Sequence, residues 1–208
     1  MASAAAEIDQ APAQPKAIHS LWVRITHWIN AVAMAMMIGS GWQIYNASPL
    51  FGFTFPKAVA LGGWLAGGLL WHFAAMWLLF ANGLVYLTLG VASGRFRRKL
   101  LPIRPAEFFA DLRAALTGHL SHDNLAVYNA VQKTLYAGVL VAGVVIVASG
   151  LAIWKPVQLK PLTALFGGYE PARVVHFFAM AAIVAFALVH IVMAFLVPKS
   201  LRAMVLGH

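Results

Sequence analysis

Four of the eight histidines in this 208-residue chain, His27, His72, His176 and His190, lie in or at the edge of long apolar stretches. An ionisable side chain in an apolar span is costly, which makes each one a functional candidate. The plainer reading, an interfacial or hydrogen-bonded core histidine, has to be weighed against the set as a whole. His176 and His190 share one stretch, and their spacing returns to within about 40° of a common helical face after a rise of about 21 Å. One helix therefore offers two imidazoles on the same side, one toward each end. His72 and His176 stand equally far from the next basic residue beyond their stretches, Arg95 and Lys199 respectively. His27, just after Arg24, and His190, before Lys199, both belong to the basic half. Their depths differ by roughly 9 Å on this count, which helix tilt can absorb.

The pairs His72–His176 and His27–His190 follow. Two imidazoles facing each other across a bundle suit the axial positions of a six-coordinate haem iron, and filling both positions favours electron transfer over oxygen binding. The chain has no cysteine, which excludes disulfides, iron–sulfur clusters, thiolate metal sites and a covalently attached c haem. Two non-covalent b haems are the expectation. A single zinc or copper site is the alternative, but histidines about 21 Å apart on one helix cannot share an ion. Proton relay is another, yet the stretches offer no Asp or Glu as partners. His19, His119, His122 and His208 read as solvated surface histidines, and Met34, Met36, Met37 and Met180 as packing residues.

The elements that must position these groups are membrane helices. The chain is 62% apolar and only 10% charged, a balance that argues for lipid as solvent. Uncharged stretches give four spans at about 25–46, 60–92, 130–154 and 174–197, each long enough to cross the hydrocarbon. In lipid only a helix satisfies the backbone of an open chain, so the fold class is an all-α, integral membrane four-helix bundle. Residues 1–18, rich in Ala, Pro and Gln, read as a disordered tail, and 19–208 as one membrane domain. The tail is not a signal peptide, since it carries Glu7 and Asp9 and no basic start. The formal charge of +9 could point to nucleic acid, but the basic residues sit between the spans. Eleven of them fall on one side: Lys16, Arg24, Arg95, Arg97, Arg98, Lys99, Arg104, Arg113, Lys133, Lys199 and Arg202. Only Lys57, Lys155, Lys160 and Arg173 fall on the other, which places both termini in the cytoplasm. Residues 105–116 read as an amphipathic helix on the membrane surface. Trp22, Trp28, Trp42, Trp64 and Trp154 suit an aromatic belt. The glycines of spans two and three offer close approach to a helix or a flat ligand. No internal repeat is evident.

The segment Arg24-Ile-Thr-His27-Trp28-Ile-Asn30, with Trp71-His72 and the His176/His190 pair, resembles the bacterial di-haem cytochrome b subunits. That group includes the membrane subunits of nickel–iron hydrogenases, the gamma subunits of formate dehydrogenases and the cytochrome b of thiosulfate reductase. The resemblance covers the chain from about residue 18. It implies residence in the bacterial inner (cytoplasmic) membrane and electron exchange between quinone and a periplasmic redox enzyme of molybdenum or nickel–iron type. Tyr128-Asn129-Ala-Val-Gln132-Lys133 is similar to a stretch that lines the quinone pocket of formate dehydrogenase gamma subunits, with Val131 in place of a glycine there. Asn129 and Gln132 share a helix face, so both amides can reach one carbonyl-bearing ligand. The plainer alternative for them is a polar helix start. Two rival functions remain: a free-standing di-haem quinone reductase such as a superoxide oxidase, and a haem-free transporter or assembly factor with structural histidines.

Overall fold

The computed structural model describes residues 18–117 and 128–207; residues 1–17 of the expected tail, His119, His122 and His208 lie outside them. The described residues form α-helices and one short 3-10 turn, with no strand among them. In chain order the helices are α1 (Leu21–Ala47), α2 (Leu65–Ala92), α3 (Arg95–Leu100), α4 (Pro105–Leu116), α5 (Ala130–Trp154), α6 (Lys160–Leu165), α7 (Tyr169–Leu196) and α8 (Pro198–Leu206). Four of these, α1, α2, α5 and α7, are long and apolar enough to cross a bilayer. The third span and the surface helix begin and end where the sequence places them. The others shift for local reasons. Gly62 and Gly63 take φ +115° and +73°, a left-handed turn that delays α2 to Leu65. At the other two spans charge does not stop the helix. Arg24 sits a turn inside α1 and reaches the Val205 carbonyl, while Glu170 and Arg173 pair at 3.0 Å within the first turn of α7.

The long helices pack as two hairpins, α1 with α2 and α5 with α7, and close backbone approach is confined almost wholly to within each. Small residues permit it. Gly68 on α2 lies against Gln43 and the Ser40 carbonyl of α1, and Ala152 of α5 and Ala172 of α7 are fully buried. Inside the first hairpin, buried Asn82 donates to the Thr26 carbonyl at 2.8 Å and to Asn30 Oδ1 at 2.7 Å. Side chains bridge the two hairpins instead. At the end away from the basic residues, Tyr45 and Phe51 meet Phe177 at ring distances of 5.3 and 5.1 Å, and Arg173 donates to the Ser48 carbonyl at 2.6 Å.

At the basic end, the last carbonyls of α8 are taken by the entry to α1. Ile18 N–H donates to Gly207 at 2.8 Å and Arg24 to Val205, a cation at the negative end of a helix dipole. His19, expected at the solvated surface, is instead buried beside Arg95, which donates to its Nδ1 at 3.4 Å. Burial foremost, then the cations Arg95 and Lys99, hold the His19 pKa down to about 4. Asp111 of α4 accepts from Ala130 N–H at 2.7 Å, tying the surface helix to the start of α5.

Candidate functional site

Each helix of the first hairpin contributes one histidine that faces α7. The His72 and His176 rings are 6.5 Å apart between centres with planes at 65°. The His27 and His190 rings are 5.9 Å apart at 66°. One iron held by an imidazole on each side, with metal–nitrogen bonds of about 2.0–2.1 Å, would put the ring centres about 6 Å apart, so both pairs fit. The depth mismatch expected for the second pair is not present. His27 lies six residues inside the start of α1 and His190 six before the end of α7, whereas the reference charges Arg24 and Lys199 stand at unequal depths, Lys199 being already on α8. Among the described residues no three His, Cys, Asp or Glu side chains converge as a bare-ion site would need.

Hydrogen bonding engages the Nδ1 atom of each ring in the first pair. Ser40 gives its hydroxyl proton to the Met36 carbonyl at 2.6 Å, and Ser149 gives its own to Val145 at 2.8 Å. Each Oγ is then an acceptor, 3.0 Å from His72 Nδ1 and 3.1 Å from His176 Nδ1. The Ile146 carbonyl, which can only accept, also lies 3.1 Å from His176 Nδ1. Nδ1 therefore carries the proton, and the lone pair on Nε2 is left for a metal. Each ring rests on the glycine after its serine: a Cβ at Gly150 would stand 3.1 Å from His176 Cε1, and one at Gly41 would stand 3.5 Å from His72 Cε1. At the second pair, Phe186 stacks on His190 at 5.7 Å and 10°, and Trp28 meets His27 edge-on at 5.3 Å. Two buried donors have no partner among the described residues, Arg24 Nε one turn from His27, and Trp42 Nε1.

The structure also reveals the repeat that the sequence alone did not disclose. Ser40-Gly41 on α1 matches Ser149-Gly150 on α5, and His72-Phe-Ala-Ala-Met76 on α2 matches His176-Phe-Phe-Ala-Met180 on α7. Gly68 and Ala172, one turn before each histidine, are buried alike, as are Ala75 and Ala179 after it. Extended toward the basic end, the match sets Tyr136 opposite His27 and Tyr86 opposite His190, so the repeat holds at one pair and breaks at the other. These serines and glycines escaped the sequence reading because no chemistry marks them singly. The His-Phe-x-Ala-Met echo is the signal that could have found them.

Asn129 and Gln132 turn out to build the start of α5. Asn129 Oδ1 accepts from Gln132 N–H at 2.8 Å, and Gln132 Oε1 accepts from Asn129 N–H at 3.2 Å, a reciprocal capping box. Both side-chain carbonyls are thus engaged. Their NH2 groups make no hydrogen bond among the described residues and keep their donor capacity. Tyr128 packs on Tyr136 at 5.1 Å, and Tyr136 on Phe186 at 6.1 Å, which leads from this helix start to His190.

Four apolar helices thus carry paired imidazoles at two depths. The chain belongs to the prokaryotic cytochrome b561 family, whose model matches residues 18–207, and it is accordingly a multi-pass, haem-b-binding protein of membrane electron transfer. A relative from Azospira oryzae (strain ATCC BAA-33 / DSM 13638 / PS), named by inference as the protein-methionine-sulfoxide reductase subunit YedZ1, is 52% identical over 192 residues, covering 92% of this chain and 97% of its own. No solved structure matches the chain.

Proposed function

We propose that the chain holds two b haems, one between His72 and His176 and one between His27 and His190, and carries electrons across the bacterial inner membrane between quinone and a periplasmic redox enzyme. The observation that carries this reading is the pairing itself: two imidazole pairs at iron-ligating separation, each bridging the two hairpins, at two depths along α7. When bound, haem supplies a one-electron carrier at each level. The protein's part is to present Nε2 lone pairs from both sides, to keep water out with apolar spans, and to meet the porphyrin carboxylates with buried donors. Arg24 Nε and Trp42 Nε1 suit that last task.

The basic end is the cytoplasmic end by the positive-inside rule. Quinone binds there, beside the His27–His190 haem, with the amide NH2 groups of Asn129 and Gln132 donating to its carbonyls. The relative's name makes a reductase of protein methionine sulfoxide the foremost partner at the opposite end. Electrons then run outward, from quinol to the His27–His190 level, to the His72–His176 level, to the partner. The resemblance to the di-haem subunits also fits a partner of molybdenum or nickel–iron type.

Haem counting tests the core of the proposal. Purified protein should yield two acid-acetone-extractable haems per chain, and His176→Ala should lose one of them while the other keeps its native spectrum. A count of one in the native protein, or two in the variant, would overturn the pairing.

A further inference from the structure

We infer that Ser40 and Ser149 are positioning residues for the outer haem: a duplicated serine module that holds both of its axial histidines as Nδ1–H donors and so sets that haem's potential apart from the inner one. This rests on the two-haem reading above.

A serine hydroxyl has one proton, and in both modules it is committed to the carbonyl one turn back, Met36 for Ser40 and Val145 for Ser149. With the hydroxyl proton on that carbonyl, the imidazole is the donor in the serine–histidine contact, at 3.0 Å for His72 and 3.1 Å for His176. The two serines are the largest fully buried side chains among the described residues, so water does not compete for either bond. A backbone carbonyl repeats the instruction for His176, with Ile146 at 3.1 Å from its Nδ1. The serine stands in the same relation to its histidine in both hairpins. His27 and His190 have no hydrogen-bond partner among the described residues, and the residues matching them across the repeat are Tyr136 and Tyr86.

An imidazole that donates from Nδ1 gains basicity at Nε2, and a more basic axial ligand favours ferric over ferrous iron. Two such ligands on the outer haem and none on the inner one lower the outer potential selectively. The serines touch neither iron nor porphyrin; they act through the histidines.

The test is a potentiometric titration of the purified holoprotein, followed at the haem absorbance bands and by electron paramagnetic resonance of the two ferric centres. Wild type is measured first: fewer than two haems removes the two-haem reading, and this inference with it. Given two haems, Ser40→Ala or Ser149→Ala should shift the reduction equilibrium of one centre toward ferrous by about threefold to tenfold, the latter being about 59 mV for one electron. The double variant should move the same centre further, and the other centre should hold its native potential throughout. Ser→Thr keeps the hydroxyl and should restore the native value at one position or both. Loss of the outer haem in the alanine variants with its recovery in a threonine variant supports the same role. Two retained haems with native potentials in the double variant, equal shifts at both centres, or threonine behaving as alanine at both positions would overturn it.

Discussion

The amides of Asn129 and Gln132 are assigned two tasks, closing the first turn of α5 and donating to a quinone, and substitutions can separate them. Their side-chain carbonyls are the groups engaged in the capping box, at 2.8 and 3.2 Å, while their NH2 groups make no hydrogen bond among the described residues. Asn129→Ala removes the cap and should cost about 1 kcal/mol. Gln132→Leu strands the Asn129 N–H and should cost about 0.5–1.5 kcal/mol. Asp111 still accepts from Ala130, so neither loss unravels the helix. For a chain of this size, each kcal/mol corresponds to a fall of about 2–4 °C in melting temperature. Asn129→Asp and Gln132→Glu keep the acceptors and delete the NH2 donors. The added charge is favoured at a helix N-terminus by about 0.3–1 kcal/mol, but the neighbouring Asp111 offsets part of that gain. These two variants should therefore melt close to wild type with both haems in place. If the amides hold quinone, they should nevertheless reduce haem from added quinol more slowly than wild type. The assay is stopped-flow haem reduction alongside a thermal melt in detergent. Native quinol rates in both carboxylate variants would refute the quinone role, and native melting of Asn129→Ala would refute the capping role.

Asn82→Leu deletes two hydrogen bonds between α1 and α2 close to His27; at about 0.6 kcal/mol each within a bilayer, the loss is about 1.2 kcal/mol. Warming that variant should release the inner haem before the outer, as followed by absorbance. Burial and its cationic neighbours hold His19 down to about 4 in the folded chain, against about 6.5 once unfolded. The unfolded chain binds the extra proton between those values, so the contribution of neutral His19 is complete above pH 6.5 and is lost as pH falls toward 4. The melting temperature of His19→Gln should therefore depend less on pH than that of wild type across this window. A reporter fused after His208 should behave as cytoplasmic; a periplasmic signal would reverse which haem faces which partner.

The spans and histidine pairs were legible because lipid imposes strict conditions: an uncharged stretch must be a helix, and a histidine inside it must have a reason. Span ends were less so, since hydropathy reports where charge begins and not where the helix ends. Arg24 and Arg173 lie within helices because each finds a carbonyl beyond its own helix, at Val205 and Ser48. Ser40 and Ser149 were illegible for a different reason. Their role is defined by the nitrogen they face across the hairpin, and nothing local distinguishes them from the many serines that bond back to their own helix. Asn129 and Gln132 carried both readings in the sequence, and the structure adds the capping role without removing the donors.

Every histidine pair takes one member from each hairpin, while the two backbones approach closely only within a hairpin. This arrangement bears on how the protein is made. A helical hairpin can enter the membrane as a finished unit, but each unit carries only half of every ligand set. A haem held between each pair as proposed would join the two pieces, and its binding energy would become assembly energy. Without haem the hairpins would be joined by contacts such as Tyr45–Phe177, Arg173–Ser48 and the Ile18–Gly207 hydrogen bond.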